Sequence, residues 1–418
     1  MSAFQGIPPA WAPSFPDLVG SSRGRHPIEL LAELTGDRSA VAQRLAREAS
    51  VIPVRQSPMP QGDGLALPHP LDSEWRFNAD TAHGLVMRTI EATKPGDTIL
   101  LLGVPTVVLA AAETDADRSF VVACEENIIG VGLMARIACD PRFQDPVAAN
   151  CAAAIVDPPW YPKMFAGLLG QAAAACRVGG TLFIGAPPLG VRPTSEVERH
   201  EALATAADIG LALVIESPEK LVYRTPAFEQ AAMEAAGLRL QLPTWRHGDL
   251  LVFRKDRSGR SPALPPAPPA FELTLNGIRL RLLAGPTTAS KLITPIAKDE
   301  VFPSVSTRAP GRAGANLWTS GNRAFRCPPA ATLTALQLLA AENDLWPKRL
   351  GPMGKESVDS TSIDPIHLIP ELARIAARDH AHMAALVGVS SWNQAANDAR
   401  FLNGSAATFR QTLLGVAA

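Results

Sequence analysis

Within five residues, Asp157-Pro158-Pro159-Trp160-Tyr161 gathers an acid, two prolines and two aromatic rings. Proline fixes φ and lacks an N–H, so the Pro-Pro pair halts any strand that runs into it and leaves a rigid turn. The run before it, Ala152-Ala-Ala-Ile-Val156, reads as such a strand. Two readings are open. Either the turn ends a strand and packs its rings into the core, or it is a platform on which a carboxylate accepts N–H bonds from a flat amine while a ring lies against it.

A platform of this kind works only at the right edge of a sheet. In an open α/β sheet, ligands bind outside the carboxyl ends of the strands, and two further candidate strand ends carry chemistry. After TILLL the chain continues Gly103-Val104-Pro105-Thr106. A glycine there lets a ligand approach the backbone, and a tight strand-to-helix turn would ask for the same glycine. After SFVVAC come Glu125 and Glu126, which suit the hydroxyls of a ribose and equally suit the positive end of the helix that follows.

The elements that must position these ends show in the hydrophobic pattern. Short apolar runs at 98–103, 119–125, 152–157, 180–186, 211–217 and 249–255 alternate with helical spacing at 126–138, 162–176, 195–209 and 227–236. That alternation predicts a doubly wound parallel sheet covered on both faces. A further helix is predicted at 81–92, and 28–49 shows helical spacing in two pieces around the stop signal Gly36-Asp37. Five prolines within 261–270 predict a stiff linker. Beyond it, FELTLNGIRLRLL alternates as an antiparallel hairpin does, and helical stretches follow at 331–344 and 367–388. The expected organisation is an N-terminal arm and small helical region over 1–75, an α/β domain over 76–257, a linker over 258–270 and an α+β domain over 271–418.

Composition narrows the function classes. At 418 residues, 47% hydrophobic and 19% charged, the chain has material for more than one core. Its 39 Lys and Arg meet 40 Asp and Glu, a net charge of −1, which removes any whole-chain attraction to duplex nucleic acid. Cys124, Cys139, Cys151, Cys176 and Cys327 lack CxxC spacing and read as small buried hydrophobes of a reducing compartment. No basic stretch followed by an apolar run opens the chain, and the most apolar window, 98–112, is broken by Gly103 and Pro105. It is too short to span a bilayer, so a cytoplasmic protein is expected. No HExxH, GxSxG or Walker loop is present. Asp379, His380 and His382 share a helical stretch, but histidines at i and i+2 face different sides of a helix, so a solvated face is expected there in preference to a metal site.

Asp157-Pro158-Pro159-Trp160 resembles the (Asp/Asn/Ser)-Pro-Pro-(Tyr/Phe/Trp) motif of class I S-adenosylmethionine-dependent methyltransferases that act on amino nitrogens, N6-adenine and N4-cytosine DNA methylases among them. The resemblance covers about residues 76–255 and implies a Rossmann-like sheet. It implies S-adenosylmethionine held by Gly103, Pro105 and Thr106 and by Glu125 and Glu126, with the motif facing the acceptor. Asp157 and the Pro158 carbonyl would accept both N–H bonds of an amine and draw its lone pair out of conjugation. Trp160 would stack on the acceptor with Tyr161 beside it, so catalysis would come from positioning and electrostatics. A nucleobase acceptor would have to be single-stranded or flipped out.

The chain is also similar to the branched-chain polyamine synthases, which transfer an aminopropyl group. It shares a threonine-bearing segment, Phe77–Thr81, which implies Thr81 at the cofactor, and the late Gly248-Asp249-Leu250. Their acidic Gly-Asp-Asp-Asp loop is replaced here by Gly-Val-Pro-Thr, so the acids that would hold a polycation are missing. A third reading is a silent scaffold of the same fold that binds a partner protein or nucleic acid.

One segment is locally basic. Residues 279–326 carry eight cations, Arg279, Arg281, Lys291, Lys298, Arg308, Arg312, Arg323 and Arg326, against Asp299 and Glu300. Interleaved with Trp318 and Phe325, they would suit an anionic or nucleic-acid partner; alternatively the rings are core and the arginines solvated.

Overall fold

The structure, a computed structural model, describes residues 65–123, 137, 140, 142–144, 150–191, 194–236, 244, 246–266, 269–284, 292–306, 309–342, 348–350 and 363–387. The helical pieces expected at 28–49 lie outside these residues, as do Glu125 and Glu126.

The first sheet contains β1 (Arg76–Phe77), β2 (Thr98–Leu102), β3 (Ser119–Ala123), β4 (Phe143–Gln144), β5 (Cys151–Val156), β6 (Cys176–Ala186), β7 (Leu211–Arg224) and β8 (His247–Lys255). They lie in the order β1-β7-β8-β6-β5-β2-β3-β4. Between them run α1 (Ala79–Glu91), α2 (Pro105–Glu113), α3 (Pro162–Ala175), α4 (Ser195–Asp208) and α5 (Ala227–Ala235). Ile99 and Leu101 of β2 enter one core, with Val107, Phe183 and Tyr223. Leu100 and Leu102 enter the other, with Phe165, Leu169, Ile184 and Phe253. Both faces of the sheet are therefore covered, and the fold is the doubly wound α/β class expected of a Rossmann-like protein.

The sheet is mostly parallel, as expected, but β1 and β8 are reversed. β8 runs antiparallel to both β6 and β7, whereas β2, β3, β4, β5 and β6 pair in parallel. A strand buried on both faces shows a continuous apolar run whichever way it points, so its direction is not written in its pattern.

The proline-rich stretch after β8 lies along α3. A Cβ on Gly167 would come within 2.9 Å of the Leu264 Cα, and one on Gly170 within 3.0 Å of Pro262. Ser261 Oγ donates to the Gly170 carbonyl at 3.0 Å. Two glycines one helical turn apart make the groove that receives it.

The second sheet is antiparallel, in the order β11-β13-β12-β10-β9-β14, from β9 (Ala270–Leu275), β10 (Ile278–Leu283), β11 (Thr294–Pro295), β12 (Leu317–Thr319), β13 (Ala324–Arg326) and β14 (Lys348–Leu350). The predicted hairpin is β9–β10. It turns on Asn276 and Gly277, both at positive φ (52° and 79°), as a two-residue turn matching strand twist requires. α6 (Pro329–Glu342) and α7 (Ile369–Val387) pack on this sheet. Ala227 and Ala231 of α5 and Leu67 join the same core, so the α/β unit and the second sheet meet through packed side chains.

Burial overturns the solvated arginines. Arg279 (1% exposed), Arg281, Arg312 and Arg323 are all buried, while Trp318 and Phe325 are core, as the second reading of this segment expected. Arg279 Nη2 bonds Asp72 at 2.8 Å and its Nε bonds Glu272 at 2.8 Å. Arg281 bonds the same two acids. Arg323 pairs with Glu300 at 2.9 Å and Asp379 at 3.0 Å. Of the described cations here, Lys298 and Arg326 are exposed.

The solvated face expected around Asp379 is corrected too. Leu372, Ile375, Ala376, Asp379 and Met383 form the buried stripe of α7, so the acid sits on the apolar face. It accepts the Gly321 N–H at 2.9 Å. His380 reaches the Asn276 carbonyl at 2.9 Å, and His382 lies 3.1 Å from Glu234 of α5. No helix among the described residues is long and apolar enough to cross a membrane.

Candidate active site

β5 is buried along its whole length and stops at Val156. Asp157 then donates its N–H to the Leu102 carbonyl at 3.4 Å, and the turn closes with the Tyr161 N–H on the Pro159 carbonyl at 2.7 Å. Tyr161 becomes the N-cap of α3, with Pro162 in the first helical position, where its missing N–H costs nothing. Pro158 is buried; Asp157, Trp160 and Tyr161 are half-buried.

The carboxylate of Asp157 is turned across β6. Its Oδ1 accepts the Tyr223 hydroxyl at 2.8 Å. Two glycines clear the way for this pair. A Cβ on Gly185 of β6 would lie 2.3 Å from Asp157 Oδ1, and one on Gly248 of β8 would lie 2.9 Å from the Tyr223 ring. Burial pushes the Asp157 carboxyl up to about 8, against the Tyr223 bond that favours its charge. Burial, followed by the neighbouring Asp157, pushes the Tyr223 phenol well above its usual range. An acid held neutral-prone by a dry site, with one hydroxyl partner, is a group poised to exchange a proton near neutrality.

Tyr223 is positioned from several sides. Phe77 of β1 packs on it at 4.8 Å between ring centroids, and Trp160 meets it edge-on at 5.8 Å. Its N–H donates to the Arg246 carbonyl at 3.0 Å. The neighbouring Val222 N–H donates to Thr81 Oγ1 at 3.2 Å, and the Asn78 N–H donates to the Val222 carbonyl at 2.9 Å. Thr81, expected at the cofactor, thus clamps the strand that carries Tyr223. The Arg246 guanidinium lies 3.5 Å from the Trp75 ring centroid and 5.4 Å from that of Trp160, so Trp160 is built into an aromatic and cationic wall.

The loop after β2 meets the same edge. Gly103 has φ 68°, a left-handed conformation in which a side chain is strained, and its position would place a Cβ 3.6 Å from the Asp157 carbonyl. Val104 supplies no side-chain cap to α2, and Pro105 and Thr106 are buried in its first turn. The Thr106 hydroxyl, on a side chain only 3% exposed, has no hydrogen-bond partner among the described residues. The structure therefore brings Gly103 against Asp157 and puts Trp160 beside Tyr223.

The sequence reading missed Tyr223, Gly185, Arg246 and Trp75. Two signals were available: Gly185 lies inside an apolar strand, where glycine often marks a close approach, and Tyr223 is one of two tyrosines in the chain, the other being Tyr161.

No family model matches the sequence, and no curated protein matches it. Among solved structures the chain is similar to the branched-chain polyamine synthase of Thermus thermophilus in complex with N4-aminopropylspermidine and 5'-methylthioadenosine, at 15% identity over 63% of this chain and 92% of that one, TM-score 0.41. It is similar to geranyl diphosphate methyltransferase in complex with SAM, at 13% identity over 42% and 85%, TM-score 0.28. It is also similar to a methyltransferase from Pyrococcus furiosus, at 14% identity over 42% and 83%, TM-score 0.27. All three TM-scores lie below 0.5; the fold assignment rests on the strand order above.

Proposed function

We propose that the chain is an S-adenosylmethionine-dependent N-methyltransferase in which Asp157 holds the acceptor amine and takes its proton. The observation that carries this reading is the Asp157–Tyr223 pair, a desolvated acid seated at a strand's carboxyl end by two glycines and one hydroxyl. A turn that only ended a strand would have no use for a desolvated carboxyl, which costs stability unless it does something.

The corner beside it fits the cofactor. Gly103 opens the backbone, α2 begins without a side-chain cap, and the buried Thr106 hydroxyl is unsatisfied. Gly103, Pro105 and Thr106 would hold S-adenosylmethionine there, with Glu125 and Glu126 following β3. When bound, the cofactor supplies a methyl group on a sulfonium sulfur, which keeps the C–S bonding pair as the N–C bond forms. Asp157, as carboxylate, and the Pro158 carbonyl accept the acceptor's N–H bonds, and Asp157 receives the proton the nitrogen releases. Trp160 and Tyr161 wall the acceptor. Aminopropyl transfer to a polyamine is disfavoured because Gly103-Val104-Pro105-Thr106 stands where the polyamine synthases carry the acids that would hold a polycation.

Titrating the full chain with S-adenosylmethionine and assaying methyl transfer to nucleobase, peptide and small-amine acceptors tests this. Asp157→Asn should abolish transfer and spare cofactor affinity. Undiminished transfer in that variant would reduce the motif to a turn, and no binding at millimolar cofactor would end the enzyme reading.

A further inference from the structure

β7 leaves most of one edge open. β8 pairs along one side of it; on the other side only the two-residue β1 pairs, at Tyr223 and Arg224. Among the described residues no strand pairs with the outer edge of Leu211–Ser217. Such an edge presents N–H and C=O groups that another strand can complete. The side chains there are apolar: Leu213, Val214 and Ile215 are 39%, 57% and 46% exposed. Three consecutive residues of a strand cannot share one face, so apolar surface lies on both faces of this edge. Beside it runs an apolar groove, lined by Leu203 and Ala207 of α4, Leu211 and Leu213 of β7 and Phe253 of β8.

The two ends of this stretch carry opposite, unbalanced charge. At its carboxyl end Arg199 answers both Asp249 and Glu216, one cation for two acids. At its amino end the Arg257 guanidinium donates to the Ala207 and Asp208 carbonyls at 2.9 and 3.4 Å. It has no carboxylate partner among the described residues, because Asp256 is taken by Arg254 at 2.7 Å. The Arg257 N–H donates to the Gly210 carbonyl at 3.4 Å, which seats this cation just before β7. Pro218 has no N–H to donate, and the register with β8 breaks between Ser217 and Leu221, so the pairable stretch ends there.

We infer that a second copy of this chain pairs antiparallel with β7 along Leu211–Ser217, joining the two eight-stranded sheets across a two-fold axis near Leu213 and Val214. Antiparallel pairing of identical strands sets the amino end of each against the carboxyl end of the other. Glu216 of each copy therefore approaches Arg257 of its mate, twice per pair. The exposed apolar side chains cover the mate's groove, while backbone hydrogen bonds supply the register. The contact is isologous, so it closes with two copies and does not propagate into a fibre. One strand pair and a groove make a small interface, which sets the expected dissociation constant at about micromolar. The pairing does not depend on methyl transfer.

Sedimentation velocity of the full chain between about 1 and 100 μM tests it, and wild type should pass from monomer to dimer across that range. Val214→Glu puts a charge at the centre of the pairing and should remain monomeric throughout. Its thermal melt should match that of dilute wild type, since the side chain it replaces is exposed. Arg257→Glu should weaken association about tenfold, and added salt should weaken wild type in the same direction. Should Val214→Glu fail to fold, hydrogen exchange on wild type decides: the amides of 211–217 should exchange more slowly as concentration rises. A wild type that stays monomeric, assembles beyond two copies, or dimerises undiminished with Val214→Glu overturns the pairing. So does exchange at 211–217 that ignores concentration, whether the edge is bare or covered by the chain's own residues.

Discussion

Two buried polar clusters, one on each side of the contact between the sheets, are built on opposite principles. Around Arg279 the charges balance: Asp72 and Glu272 face Arg279 and Arg281 with every pair in bonding distance. Burial opposes the charge on Asp72, yet Arg279 and Arg281 outweigh it and hold its carboxyl well below the usual range. Around Asp157 nothing balances. The acid meets a neutral hydroxyl, and burial wins. A balanced cluster fixes the path of the segment before α1 on the second sheet. An unbalanced one holds free energy in reserve for a ligand or a proton.

The largest effect should come from unbalancing the first cluster. Glu272→Gln leaves Arg279 and Arg281 with Asp72 alone and should destabilise the chain by about 3–5 kcal/mol, read by denaturant unfolding. If that variant unfolds like wild type, the cluster is not the structural half of the contrast.

Asp157→Asn should do the reverse. Transfer should fall by about 10²–10⁴-fold, while stability at neutral pH holds or rises. The sign follows from its raised carboxyl. The folded protein keeps this proton up to about pH 8, whereas the unfolded chain loses it near pH 4, about the ordinary carboxylate value. The contribution is therefore fully present below about pH 4 and fades as pH rises toward 8. Unfolding free energy measured from pH 5 to 9 should slope downward in wild type, and less so in the variant. The transfer rate should climb across the same range, with an inflection near 8 that the variant lacks.

Tyr223→Phe is a smaller probe of the same pair. It removes the bond that favours the carboxylate, so the inflection should move upward and the rate at pH 7 should fall roughly tenfold if the carboxyl rises by about one pH unit. Stability should drop by about 1 kcal/mol. A pH profile identical to wild type would mean that the hydroxyl does not act on Asp157.

Thr81→Val should cost the least, about 0.5–1.5 kcal/mol for the lost acceptor of the Val222 N–H. Cofactor affinity measured by calorimetry should be unchanged if Thr81 only clamps β7. A loss of affinity larger than the loss of stability would return it to the cofactor.

Much of this protein was legible as pattern. The strand ends after 102 and 156, the α/β alternation, the Asn276-Gly277 hairpin and the abrupt stop at Pro158-Pro159 are local matters of φ, periodicity and turn chemistry, and they appear where the residues place them. Strand direction was not legible, because β8 carries the same apolar run either way. Nor was the fate of the arginines: eight cations in 48 residues look like a surface, yet acids from residue 72, β9 and α7 meet Arg279, Arg281 and Arg323 in the interior.

By itself, the sequence determined that an acid would stand on a rigid turn at a strand's end, since two prolines leave that backbone few alternatives. Only the tertiary structure decided what that acid is. Tyr223 arrives from β7, across two strands, through the space that Gly185 and Gly248 leave empty. The desolvation that raises this aspartate's carboxyl to about 8 comes from neighbours that no local pattern could assign to it.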